Sequence, residues 1–393
     1  MFSVPWEKRT VEQMREEFVK RVLAHECTKS ALCKEYGISR PTGDKWISRY
    51  LSGEGLHNVS RAPKTQKNRI TEEMEKHIVE MRQQYPALGA LKLHRMMRNQ
   101  GIMNLPCPKT FNNVFHRHNL ITPEASAAVT VTQRYEKSRP NEMWQADYKG
   151  HFLMKNGKRC HPLNIIDDYS RYNICSEVQL TESFEEIQPL MIRIFKEYGM
   201  PFSILCDNGN PWGNAQLTGY TRFEVWLMEL GILTLHGRIY HPQTQGKGES
   251  FNRSFTQECL KNHVFDDEYS AQQIFSQYRH FYNNQRPHHA LKLEVPSSRY
   301  YRSKIVYPEN IQEWDYSKEY QVLHTSPKGY FTYNGFRYFL SDAFSDKTIA
   351  VRESHLPGHL TVVFRQFRIA RIDLNQKVFT LKRSYLLEND PRK

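Results

Sequence analysis

A carboxylate in the middle of an apolar, strand-like segment constrains this chain most. In NEMWQADYKG, alternation puts Gln145, Asp147 and Lys149 on one face and Trp144, Ala146 and Tyr148 on the other. A charge set in a sheet needs compensation: an opposite charge, a hydrogen bond or a metal ion. KRCHPLNIIDDYSRYNICSEV adds two β-rich pieces, so an antiparallel three-stranded start is predicted. SFEEIQPLMIRIFKEYG then predicts a helix burying Ile187, Leu190, Met191, Ile194 and Phe195, before two short strands in SILCDNG and GILTLHG.

That order, three strands, helix, strand, helix, strand, is the one expected of an RNase H-like α/β core. Two further acidic residues fall where such a core could bring them to Asp147. Asp207 ends the apolar Ser203–Cys206 segment just before Asn208-Gly209, and Glu249 opens a helix after the polar run HPQTQGKG. Read singly, each has an ordinary alternative: a salt bridge for Asp147, a turn cap for Asp207, an exposed cap paired with Arg253 for Glu249. Read together, three carboxylates suit a divalent-metal site for phosphoryl transfer, because phosphate would otherwise be repelled. Asp167 and Asp168, in IIDDYSR, are assigned to turn and structural interactions. Trp144 and Trp212 are expected to pack or to contact DNA, and His236 and His241 to position DNA or water.

The charge points to a polyanionic partner. Lys and Arg number 55 against 42 Asp and Glu, a net +13 in 393 residues, with 24 against 14 in residues 1–140 and 31 against 28 in the rest. Nucleic acid is the leading candidate. The basic part reads as two helix-turn-helix modules. In the first, a helix begins after Thr10 with Met14, Phe18 and Val22 near one face. A turn at Tyr36-Gly37-Ile38 then leads to a helix from about Arg40 to Leu51, capped by Ser39, with Trp46 and Tyr50 inward. Arg40, Thr42, Lys45 and Arg49 would face DNA. The polar stretch that follows carries Arg61 and Lys64, enough to track phosphates or to serve as a solvated hinge. The second module runs from a helix capped by Thr71 through Ala90–Asn99 to Lys109–His118, offering Lys109, Thr110, Asn112 and His116. A metal role for His116 and His118 is set aside, since i and i+2 do not share a helix face.

At this point the segments WQADYKG, CDNG and HPQTQGKGESFNRSF resemble the three acidic blocks of DDE transposases related to retroviral integrases, especially bacterial insertion-sequence enzymes. The resemblance implies catalytic and metal-ligating roles for Asp147, Asp207 and Glu249, two Mg²⁺ ions with Mn²⁺ able to substitute, and cleavage followed by strand transfer from a 3′-hydroxyl. Lys247 and Arg253 would hold the DNA backbone, and the YNNQRPHHAL run, with Arg286, would order a DNA-facing loop. Partners implied are duplex DNA with terminal inverted repeats, target DNA, and further copies of the chain in a dimer or larger synaptic complex. Two departures stand out: 42 positions separate Asp207 from Glu249, more than in many integrase-like enzymes, and the retroviral His-His-Cys-Cys zinc signature is missing.

From Tyr320 onward, short β-prone pieces separated by Pro327, Gly329, Asn334-Gly335 and Pro357-Gly358 predict a small, SH3-like β-barrel. The expected division is thus 1–60 and 61–125 for the DNA readers, 126–140 for a linker, 141–300 for the catalytic core and 301–393 for the β-rich end. Seven cysteines without CxxC spacing argue for a reducing compartment, and no apolar run is long enough to span a bilayer. A soluble protein, cytoplasmic or nucleoid-associated in a bacterium, is expected. Two competing functions remain at this stage: a transposon-derived DNA-binding regulator and a metal-dependent structure-selective nuclease.

Overall fold

Side-chain caps set where the amino-terminal helices begin. In the computed structural model, which describes residues 10–59, 70–121, 136–213, 219–237 and 246–386, Thr10 forms a capping box with Gln13 at the start of α1 (Val11–Leu23). Thr28 caps α2 (Lys29–Glu35), and Ser39 accepts from the Thr42 amide at the start of α3 (Arg40–Leu51). Gly37 makes the sharp connection before α3 at a φ of +62°. The three helices close on Phe18, Val19, Leu32, Cys33 and Trp46. They pack so tightly at Gly43 that a Cβ there would lie 2.8 Å from Cys33 Sγ. One sequence expectation fails here: Tyr50, expected inward, is exposed, while Arg15 covers Trp46, its guanidinium carbon 3.9 Å from the ring centroid.

The chain divides into two compact units, Met1–Arg69, which holds this bundle, and Ile70–Lys393. The larger unit opens with a second bundle of α4 (Glu72–Gln84), α5 (Ala90–Asn99) and α6 (Pro108–Arg117), closed on Ile78, Leu93, Met97, Phe111, Val114 and Phe115. The central sheet follows: β1 (Met143–Tyr148), β2 (Phe152–Leu153), β3 (Arg159–Asp167), β4 (Asn173–Gln179), β5 (Ser203–Cys206) and β6 (Leu233–His236). β3 lies antiparallel between β4 and β1, while β5 runs parallel to β1 and β6 parallel to β5; the short β2 pairs with the start of β3. The expected strand and helix order is met, with β2 added.

Helices cover both faces. Trp144 and Ala146 of β1 pack with Ile187, Met191 and Phe195 of α7 (Phe184–Tyr198) and Phe223, Trp226 and Leu227 of α8 (Arg222–Glu229). On the other face Ile166 meets Phe251 and Phe255 of α9 (Gly246–Glu258) and Phe275, Tyr278 and Tyr282 of α10 (Glu268–Asn284). The period of two therefore sends Gln145 and Asp147 toward α9.

The carboxy-terminal strands do not form the expected barrel. β7 (Gln321–His324), β10 (Thr348–Glu353), β11 (His359–Phe364), β12 (Phe367–Asp373) and β13 (Val378–Leu386) make an open antiparallel sheet in the order β13-β12-β11-β10-β7. β8 (Tyr330–Tyr333) and β9 (Phe336–Phe339) pair only with each other among the described residues, around the Asn334-Gly335 turn. The apolar face of the open sheet packs against Tyr220, Val225 and Met228 and against Phe331, Leu340 and Phe344 from the stretch between β7 and β10. The Tyr220 hydroxyl also donates to the Ile369 carbonyl at 2.8 Å.

Candidate active site

The three acidic residues come from three elements: Asp147 from β1, Asp207 from the residue after β5, and Glu249 from the first turn of α9. Burial pushes the Asp147 carboxyl up to about 7, and the charges of Asp207 and Glu249 push in the same direction, against Lys149 and a hydrogen bond from Asn252. The carboxylates thus share one electrostatic field. Among the described residues, no three His, Cys, Asp or Glu side chains stand close enough to hold a metal ion as placed. Asp207 Oδ1 is engaged by the Gly209 amide at 3.0 Å, and Glu249 is exposed. Oxygen donors on three elements, one of them a buried carboxylate with two further negative charges in its field, are hard ligands of the kind a divalent cation takes, so the donor set fits one.

Neighbouring polar side chains fix the geometry. The Asn252 amide donates to Asp147 Oδ2 at 2.7 Å, and Asn164 donates to Asn252 at 2.8 Å. Ser176 donates in turn to Asn164 at 2.8 Å. Strand register explains the row, since Asp147 faces Asn164 across β1 and β3, and Asn164 faces Ser176 across β3 and β4. Gln145, on the same face of β1, accepts from the Gly248 amide at 2.9 Å and donates to Asp168 at 2.8 Å. It satisfies one of the orphan amides that open α9 and so sets Glu249 in relation to β1. Sequence reading noted that Gln145 shares a face with Asp147 but gave it no role; for Asn252 the signal is its i, i+3 spacing from Glu249 on one helix.

Other expectations need correction. Lys247 is not free for DNA: its ammonium is paired with Asp168 and donates to the Asp168 carbonyl at 3.1 Å, leaving the side chain 15% exposed. Arg286 is 6% exposed and bidentate on Glu258, at 2.6 and 2.7 Å, so its guanidinium is engaged within the protein. Arg49 turns back on its own bundle, 13% exposed, donating to the His57 carbonyl at 3.1 Å and pairing with Glu54 at 3.2 Å. The Thr42 hydroxyl is bonded to Ser39 at 2.8 Å. Arg40, Lys45, Lys109, Asn112 and Arg253 are exposed, and Thr110 is partly buried, 3.5 Å from Cys107 Sγ. Arg61, Lys64 and His241 lie outside the described residues.

Asp167 and Asp168 have the structural roles expected of them. Asp167 accepts from the Ser170 and Asn141 amides, each at 2.7 Å, while Asp168 ties Gln145, Lys247 and the Lys137 amide together. Trp144 and Trp212 are fully buried packing residues.

The raised Asp147 carboxyl has a measurable consequence. Its folded state holds the proton to about pH 7, whereas an unfolded Asp releases it near 4. The stability it contributes is fully present below pH 4 and lost as pH rises through 7. In chelator, melting of the parent is therefore expected to fall between pH 5 and 8, and Asp147→Asn to fall less, by roughly 1–2 kcal/mol after allowing for solvent screening. Adding Mg²⁺ at pH 8 should restore the parent more than the variant. Identical pH and Mg²⁺ responses would contradict the raised Asp147 carboxyl.

Comparison with known proteins matches separate stretches of the chain. A model described as Integrase core domain matches residues 137–242 and a second of the same description matches 230–296. Helix-turn-helix domain matches 14–64, and IS481 family transposase, C-terminal domain, matches 321–380. The chain is 26% identical over 206 residues to an uncharacterized 31.7 kDa protein of insertion element IS407 from Burkholderia multivorans, covering 52% of this chain and 67% of that one. It is 24% identical over 288 residues to an uncharacterized 39.2 kDa protein of insertion element IS476 from Xanthomonas euvesicatoria, covering 72% and 75%. A chain of the simian T-cell lymphotropic virus intasome, solved with a PP2A regulatory subunit, superposes with a TM-score of 0.36 at 14% identity, over 77% of this chain and 97% of that one. That superposition is too loose to carry any argument.

Proposed function

Because the chain is a DDE transposase of the insertion-sequence kind, built on an integrase core, we propose that it recognises the terminal inverted repeats of a mobile element, cleaves at their 3′ ends and joins them to target DNA. Asp147, Asp207 and Glu249 would hold Mg²⁺. The bound cations would supply Lewis-acid activation of the attacking oxygen and neutralise charge on the leaving one. The observation that carries the reading is that Asp147 on β1, Asp207 after β5 and Glu249 at the start of α9 all fall within the stretches that match the Integrase core domain.

The chain's own residues do the positioning. Asn252 fixes which oxygen of Asp147 faces the substrate, and Gln145 holds the helix that carries Glu249. Cleavage is attack by water on a phosphodiester, breaking the P–O3′ bond and leaving a 3′-hydroxyl on the element end. Joining is attack by that hydroxyl on a target phosphodiester, so one bond is exchanged for another and no external energy source is needed. Arg40 and Lys45 on α3, Lys109 and Asn112 on α6, and Arg253 on α9 are the exposed groups assigned to DNA. Arg61 and Lys64 keep the phosphate-tracking role in the proposal. Two copies or more would pair the element ends.

Selection of bound duplexes followed by incubation with Mg²⁺ tests this reading. The selected sequence should be nicked at a 3′ end and then joined to a second DNA. Cleavage without joining would favour a structure-selective nuclease, and binding without either reaction would favour a regulator.

A further inference from the structure

His236 ends β6, next to the strand end that carries Asp207, and the reaction proposed above leaves its side chain unused. Its ring is buried, with the side chain 5% exposed, and spans two elements. Nδ1 lies 2.7 Å from the Asp207 carbonyl oxygen and Nε2 lies 2.9 Å from Glu224 Oε1. A carbonyl only accepts, so Nδ1 carries the hydrogen of the first bond. Glu224, itself 10% exposed at the side chain, is held in turn because its Oε2 accepts from the Thr221 amide at 2.7 Å in the capping box of α8.

The ring also fills the space beneath the turn that follows Asp207. A Cβ on Gly213 would lie 2.7 Å from His236 Cε1, and the Gly213 amide closes the turn on the Gly209 carbonyl at 2.9 Å. Beside it, Asn208 reaches the Gly237 carbonyl at 3.3 Å. The backbone that aims the Asp207 carboxylate is therefore clamped from below by a ring that α8 holds in place.

We propose that His236 is a positioning residue for Asp207, acting through the Nδ1–H bond to its backbone carbonyl, with Glu224 fixing the ring from α8. The inference rests on Asp207 being a metal ligand. Groups that orient a ligand are commonly worth 10- to 100-fold in metal affinity or activity, and this clamp belongs to that class although it acts on the backbone.

The two amide side chains separate the two ring nitrogens. In His236→Asn the amide can take the place of Nδ1 and keep the bond to Asp207; in His236→Gln it takes the place of Nε2 and keeps only the bond to Glu224. Both lose the ring, so both share its packing cost. With the full chain, Mn²⁺ binding is read by electron paramagnetic resonance and single-turnover cleavage on the selected end duplex. His236→Gln should weaken both by about 10- to 100-fold, His236→Asn should recover most of the loss, and both should bind the duplex and melt alike. Equal Mn²⁺ binding in the two variants would overturn the clamp. Asp207→Asn serves as the control: if it binds Mn²⁺ and cleaves like the parent, the assignment of Asp207 fails, whereas an inactive Asp207→Asn beside a normal His236→Gln sinks the clamp alone.

Discussion

Asp147→Asn, Asp207→Asn and Glu249→Gln should each lower end cleavage and strand transfer at least about 10³-fold, roughly 4 kcal/mol of transition-state stabilisation. Each substitution keeps the size and polarity of the side chain and removes only the charge. Asn at 147 can still bond to Asn252, which now holds Asp147 at 2.7 Å. Asn at 207 can still accept from Gly209. Glu249 is exposed on the first turn of α9, so its loss leaves no cavity. The three variants should therefore fold and bind the selected duplex as the parent does, and their defects should not multiply when combined, because they serve one site. Loss of duplex binding alone, with cleavage intact at saturating protein, would assign these residues to recognition instead.

Arg286→Ala should produce the largest loss of stability, about 3–5 kcal/mol or near 10 °C in the transition of the larger unit. Both partners of the Arg286–Glu258 pair are under one-tenth exposed, and the guanidinium also donates to Ser254 at 3.1 Å. Removing it strands a buried carboxylate between α9 and α10. Glu258→Gln should cost less, since a neutral amide can still accept from the guanidinium. Arg286→Ala also separates the structural role from the one first expected of this residue. If the guanidinium held a DNA phosphate, its removal would flatten the salt dependence of duplex binding by about one unit of slope. Here the slope should be unchanged and the melting temperature should fall.

What could be read from the sequence follows the range of the signals. Caps act over three residues, and Thr10, Ser39 and Thr71 mark helix starts where expected. Strand alternation acts over two, and it separated Trp144 and Ala146 from Gln145 and Asp147 correctly. Interactions set by topology were out of reach. Gln145 meets Gly248 across 103 positions, Arg286 meets Glu258 across 28 and Lys247 meets Asp168 across 79. Each converts a residue that looks available for DNA or solvent into one that is taken. The barrel was misjudged for a related reason. Turn spacing gives the number of strands, but whether the sheet closes depends on what packs on it, and here Tyr220, Val225 and Met228 do so together with Phe331, Leu340 and Phe344.

The most direct test is the distance from each carboxylate to bound metal in a crystal of the Mn²⁺-loaded protein on its end duplex, with the ions located by anomalous scattering. All three of Asp147, Asp207 and Glu249 should place an oxygen at roughly 2 Å from an ion. Any one of them held beyond about 8 Å, several times the length of a ligand bond, would contradict the shared site.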